Sequence, residues 1–136
     1  MAFVVDASII LAGLLPDEGS AAADRVLART TSEPVQAPAL LLLEVGNALV
    51  QAGRRRRIEQ SMVDEMLRAF LELPIALDPT APGPMLRAGE LASRHAVTLY
   101  DACYLELALR RGWPLATLDA ALGRAAVAEG VVLAHA

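Results

Sequence analysis

Four acids in this sequence stand where short elements reverse, and side chains at reversals tend to meet. Asp6 follows the apolar run Phe3, Val4, Val5. Glu44 sits inside the leucine-rich segment 40–50, Asp101 opens an apolar helical stretch that closes on Gly112, and Asp119 ends a short strand led by Pro114. If the four converge, repulsion decides the chemistry: at ~5 Å and an effective dielectric of ~20, each ionised pair costs roughly 3 kcal/mol. Such a cluster needs a cation. An all-carboxylate set, thiol-free and poor in histidine, selects hard ions, so Mg²⁺ is expected, with Mn²⁺ as a substitute, ahead of zinc. Hard cations bridged by carboxylates activate water and stabilise a leaving oxygen, which suits phosphodiester hydrolysis.

Three polar neighbours fit beside the acids. Ser8 and Thr117 each lie two residues from a carboxylate and could orient it, or a water next to the cation; plain turn hydrogen bonding would use them equally well. Asn47 shares a polar stripe with Glu44 and Gln51, spaced i, i+3 and i+7, and that stripe either faces solvent or lines a cleft. The acids have plain readings too. Asp6 and Asp119 could cap the helices that follow them, and Thr98-x-x-Asp101 matches a capping box.

The elements that must position these residues are short. Residues 3–5 read as a buried strand, and residues 7–15 as a brief helix ended by Pro16. Ser20 reads as the N-cap of a helix to about Arg29. Residues 34–38 form a very short strand whose second proline starts a helix over 38–52, followed by Gly53. After Arg54, Arg55, Arg56 and Arg57 comes an amphipathic helix over 58–71, with Ile58, Met62, Val63, Met66, Leu67 and Phe70 on one stripe. Residues 74–77 are a third strand, 78–84 a Pro-rich turn, and 85–95 a helix. After the helix that closes on Gly112 and the short strand led by Pro114, a helix over 120–128 leads to a last strand at 131–133. Short apolar strands alternating with helices predict an α/β fold, a three-layer α/β/α sandwich around a short parallel sheet. Sites in such sheets form beyond the carboxyl ends of the strands, where Asp6 and Asp119 fall.

Bulk composition narrows the class. The 136 residues are 55% hydrophobic and 4% aromatic, which suits one domain, 1–136, with an aliphatic, helix-rich core. All twelve basic residues are arginine, so P-loop and Schiff-base chemistry, which need lysine, are excluded. A net charge of −4 argues against coating nucleic acid by overall charge. The four consecutive arginines could grip RNA phosphates, or complement a helix C-terminus. His95 and His135 lack a nucleophile motif, Cys103 reads as a small core residue, and Trp113 as a packing anchor. No apolar run reaches the roughly 18 residues of a membrane span, and a cytoplasmic protein is expected.

Taken in order, Val4-Val5-Asp6-Ala7-Ser8, the run Leu42 to Leu49 (LLEVGNAL), Tyr100 to Ala108 (YDACYLELA) and Pro114 to Leu122 (PLATLDAAL) resemble the PIN-domain family, specifically the VapC-type toxin ribonucleases of type II toxin–antitoxin pairs. The four motifs span nearly the whole chain. The resemblance implies Asp6, Glu44, Asp101 and Asp119 as the acidic metal site. It also implies Mg²⁺-dependent cleavage of RNA, a homodimer, and a small antitoxin partner, with a higher-order complex of the two. Hydrolysis would leave 5′-phosphate and 3′-hydroxyl ends. The alternatives are a PIN nuclease of RNA processing or DNA metabolism, and a non-catalytic binding module whose acids only cap helices.

Overall fold

The computed structural model describes residues 1–135. Strand β1 (Phe3–Val5) has no exposed residue, as a β-branched run between two layers requires. Its parallel neighbours are β2 (Val35–Pro38) and β4 (Leu115–Ala116), and β3 (Ala76–Asp78) pairs with β2, so the sheet order is β3-β2-β1-β4. Successive strands step outward from β1 to β3, and the chain then returns to the other side of β1. The crevice between β1 and β4 is therefore the point where the winding reverses, the place such sheets bind ligands.

Helices cover both faces. On one, α6 (Leu99–Arg111) lies across β1, β2 and β4, flanked by α5 (Pro82–His95) and α7 (Ala120–Ala128). A second group, α1 (Ala7–Leu14), α2 (Ala21–Arg29), α3 (Leu40–Arg54) and α4 (Gln60–Leu71), packs together around α1. This is the expected α/β arrangement. The buried apolar residues form one cluster, and Trp113 and Cys103 pack against it partly buried. On α4, Val63, Met66 and Phe70 are buried while Met62 stands at the edge, 36% exposed.

Several boundaries differ from the sequence reading. Pro38 belongs to β2, bonded in register with Asp78, and α3 starts at Leu40. Pro82, Gly83 and Pro84, read as turn, form the first turn of α5, where a proline lacks nothing the helix needs. Gly53 lies inside α3 rather than ending it. A Cβ there would stand 2.7 Å from Val63 Cγ2, so the glycine admits α4. Residues 131–133 supply one parallel bridge, Leu115 with Leu133, in place of a strand. Gly130 turns the chain with φ of 81°, and Val132 is 68% exposed, so little of that segment has a sheet to join. Among the described residues no helix is long and apolar enough to cross a membrane.

Candidate active site at the carboxyl edge of the sheet

Asp6 leaves β1 and caps α1: its Oδ1 accepts from Ile9 N at 3.3 Å. The same oxygen accepts from Ser8 Oγ at 2.5 Å, and Oδ2 accepts from Thr117 Oγ1. Ser8 Oγ in turn accepts from Leu118 N at 2.8 Å, and Thr117 Oγ1 from Asp119 N at 3.0 Å. The two hydroxyls thus lace the exit of β1 to the exit of β4. Asp6 is only 3% exposed, and burial pushes its carboxyl up to about 6, against the opposing pull of these hydrogen bonds.

Asp119 caps α7 through Oδ1, which accepts from Leu122 N at 2.8 Å. The capping reading therefore holds for both strand-exit acids. It leaves Asp119 Oδ2 without a hydrogen bond among the described residues. Asp101 is the third residue of α6, where Thr98 is the N-cap and accepts from Asp101 N at 3.1 Å. The Thr98 side chain also hydrogen-bonds the Asp101 carboxylate, the one influence that lowers its pKa. Burial and then the charge of Asp119 raise its pKa, and its own charge raises those of Asp6 and Glu44. Asp101 thus links the acids: its charge acts on Asp6 and Glu44, and the charge of Asp119 acts on it.

Glu44 is half-buried one turn into α3, and its Oε1 accepts from Tyr104 Oη at 2.6 Å. Burial is the largest reason its pKa is raised. Tyr104 was not among the candidate residues read from the sequence. The available signal was a lone phenol in the fully buried run 104–108 of α6, three residues from Asp101, because a buried Tyr hydroxyl needs a partner.

The remaining candidates separate. Asn47 is exposed and joins Glu44, Leu43 and Tyr100 in the wall of an open groove of about 450 Å³, without bonding any acid. The arginine run starts ten residues beyond Glu44, about 15 Å along α3 at 1.5 Å per residue. Arg57 is engaged there, with Asp17 on two nitrogens at 2.9 and 2.8 Å and Glu18 at 2.6 Å. Arg54, Arg55 and Arg56 are exposed and have no ion-pair partner among the described residues. Cys103 is held in its thiol form by burial and by the charges of Glu106 and Glu44.

As the side chains stand, no three of the described His, Cys, Asp and Glu residues are close enough together to hold one cation. The donor chemistry nevertheless fits a hard cation: every acid at this edge is a carboxylate, Glu44, Asp101 and Asp119 each keep an unbonded oxygen, and three are raised in pKa by burial and mutual charge.

The family model for the PIN domain matches residues 3–128. The chain belongs to the PIN-domain family. Ribonuclease VapC3 of Pyrobaculum aerophilum is 36% identical over 120 residues, covering 88% of this chain and 90% of that protein. Ribonuclease VapC1 of Mycobacterium tuberculosis is 38% identical over 125 residues, covering 90% and 89%. Among solved structures, a Pyrobaculum aerophilum protein superposes with a TM-score of 0.67 at 25% identity, over 92% of this chain and 87% of that one. VapBC2 of Rickettsia felis, solved bound to a promoter DNA fragment, gives 0.70 at 12% identity over 98% and 97%, a likeness of fold. Within this PIN domain the four acids stand at the carboxyl edge of the sheet, on the exits of β1 and β4 and the first turns of α3 and α6.

Proposed function

We propose that this PIN domain is a metal-dependent endoribonuclease, the toxin of a type II toxin–antitoxin pair. The observation that carries it is the position of the four acids at one edge of the sheet, Asp6 and Asp119 at the adjoining exits of β1 and β4, Glu44 and Asp101 on the first turns of α3 and α6. The relatives named ribonuclease VapC, matched over about nine-tenths of their length, support the same reading.

Asp6, Glu44, Asp101 and Asp119 would hold the ion. When bound, Mg²⁺ or Mn²⁺ would supply Lewis-acid polarisation of the phosphodiester and a lowered pKa for the attacking water. The chain's own residues prepare the edge. Ser8 and Thr117 fix the rotamer of Asp6 and tie the exits of β1 and β4 together, the Asp6 and Asp119 caps anchor the starts of α1 and α7, and Tyr104 fixes Glu44. In-line attack by water leaves 5′-phosphate and 3′-hydroxyl ends. The chain would act in the cytoplasm as a homodimer, silenced by a small antitoxin and joined with it in a larger complex; structure neighbours include toxin–antitoxin complexes.

Cleavage of labelled cellular RNA by the purified chain with Mg²⁺ or Mn²⁺, beside EDTA and Asp101→Asn controls, tests this. Discrete cleavage lost in both controls is the expected outcome. Cleavage that persists in Asp101→Asn, or ends in 2′,3′-cyclic phosphate, would contradict it.

A further inference from the structure

Next to the acid edge, α7 and the C-terminal segment enclose an open cavity of about 570 Å³. Thr117 and Asp119 belong both to its wall and to the acid edge, so the two spaces are continuous. Away from the acids the wall turns apolar, with Leu118 39% and Val127 60% exposed to it and to solvent. Two polar side chains interrupt that wall. Arg124 is exposed and has no ion-pair or hydrogen-bond partner among the described residues. His135 also lines the wall, and its Nδ1 atom is buried beneath that surface with no hydrogen-bond partner, an unmet polar group that costs stability.

The ligand that answers these features has a flat apolar body and an anionic group beside it. A nucleobase with its phosphate is such a ligand. Arg124 lies five residues after Asp119, about 7.5 Å along α7, a separation on the scale of one nucleotide. A strand whose reacting phosphate sits at the acids would therefore present its next phosphate to Arg124 and its base to the apolar wall. The acids themselves repel a polyanion, so a cation placed one step away is where the strand can be held.

We propose that this cavity is a base-binding subsite for the nucleotide flanking the scissile phosphodiester of single-stranded RNA, with Val127, Leu118 and His135 forming the wall against the base and Arg124 meeting its phosphate. The proposal rests on the ribonuclease reading. It makes the subsite a determinant of where the chain cuts.

The test uses a fluorescein-labelled, random-sequence RNA pool with the full chain, its Val127→Asp variant and its Arg124→Gln/His135→Ala double variant. Binding is read by anisotropy in an Asp101→Asn background, and cleavage with Mn²⁺ by sequencing the new ends. The expected result is a base preference at one position flanking the cut that weakens in both variants. Binding falls about tenfold, and the kinetic loss falls on KM rather than kcat. An RNA made abasic at that position should be cut equally well by the full chain and by Val127→Asp. Unchanged preference, KM and binding in variants that melt like the parent would overturn the subsite and leave the ribonuclease standing. Absence of Asp101-dependent cleavage by the parent chain would overturn the ribonuclease reading and the subsite with it. Variants that bind the RNA pool normally but lose the purified antitoxin would overturn it in favour of a protein-docking surface.

Discussion

The Tyr104 hydroxyl donates to Glu44 Oε1 at 2.6 Å, tying the middle of α6 to the first turns of α3 across sixty residues of sequence. Tyr104 is 1% exposed, and burial, followed by the hydrogen bond and charge of Glu44, pushes its phenol far above its usual range. It stays a donor at any working pH. The bond leaves Glu44 Oε2 as the oxygen available to a cation.

Tyr104→Phe removes that donor and keeps the ring in the core. The expected cost is about 1 kcal/mol of stability, since half-buried Glu44 can exchange the lost bond for water. The larger effect falls on the cation: residues that orient a ligand typically cost about tenfold in metal affinity when removed. A Mn²⁺ titration followed by melting temperature should show a weaker rise than in the parent chain. An unchanged titration would leave Tyr104 as packing alone.

Asp6 gives the metal-free chain a pH dependence. Its carboxyl sits at about 6 when folded against 3.8 in the reference state, so between those values the folded chain holds a proton that the unfolded chain has lost. The stability it contributes is present below pH ~4 and lost as pH rises through ~6, about 3 kcal/mol in all. In EDTA, urea midpoints should fall across that window, and Asp6→Asn, which can still cap α1, should flatten the fall. A slope of opposite sign in the parent would show that Asp6 is ionised throughout.

Gly53 is where α3 and α4 approach. In Gly53→Ala the new methyl meets Val63 Cγ2 at 2.7 Å and Gln60 Oε1 at 2.9 Å. The crowding costs about 1–3 kcal/mol, offset by roughly 1 kcal/mol of helix propensity. A net loss of about 1 kcal/mol, or several degrees in melting temperature, is expected. A stabilised variant would mean that the helix pair has slack.

The arginine run should act as three and one. Arg54, Arg55 and Arg56 are free to meet phosphates, whereas Arg57 is held by Asp17 and Glu18. Replacing the first three by glutamine should lower the salt dependence of RNA binding by about 0.7 per lost phosphate contact. Arg57→Gln should leave the slope nearly unchanged. Equal slopes in all variants would place the RNA elsewhere.

Metal addition checks the acid edge without any substrate. Mn²⁺ at about a hundred times its dissociation constant should stabilise the parent chain by about 2.7 kcal/mol, with Asp101→Asn showing little response. Equal responses would remove Asp101 from the site.

Local chemistry alone placed much of this chain. The run Phe3, Val4, Val5 has no way to satisfy its apolar side chains except between two layers, so β1 and the acid at its exit were legible, as were the cap residues Ser20, Thr98 and Asp119. The motif order also carried the family, because residue type and spacing survive changes in packing. What the sequence left open depended on partners far along the chain. Whether Gly53 ends a helix or admits another depends on where Val63 arrives, and whether residues 131–133 form a strand depends on how much of β4 remains to pair with. Arg57 looks like its three neighbours until Asp17 and Glu18 come within reach. Tyr104 is one more apolar residue of α6 until the fold brings Glu44 to its hydroxyl. Hydrophobic period and capping act over a few residues and can be read along the chain, while hydrogen bonds and close contacts between distant segments exist only once the tertiary structure sets their distances.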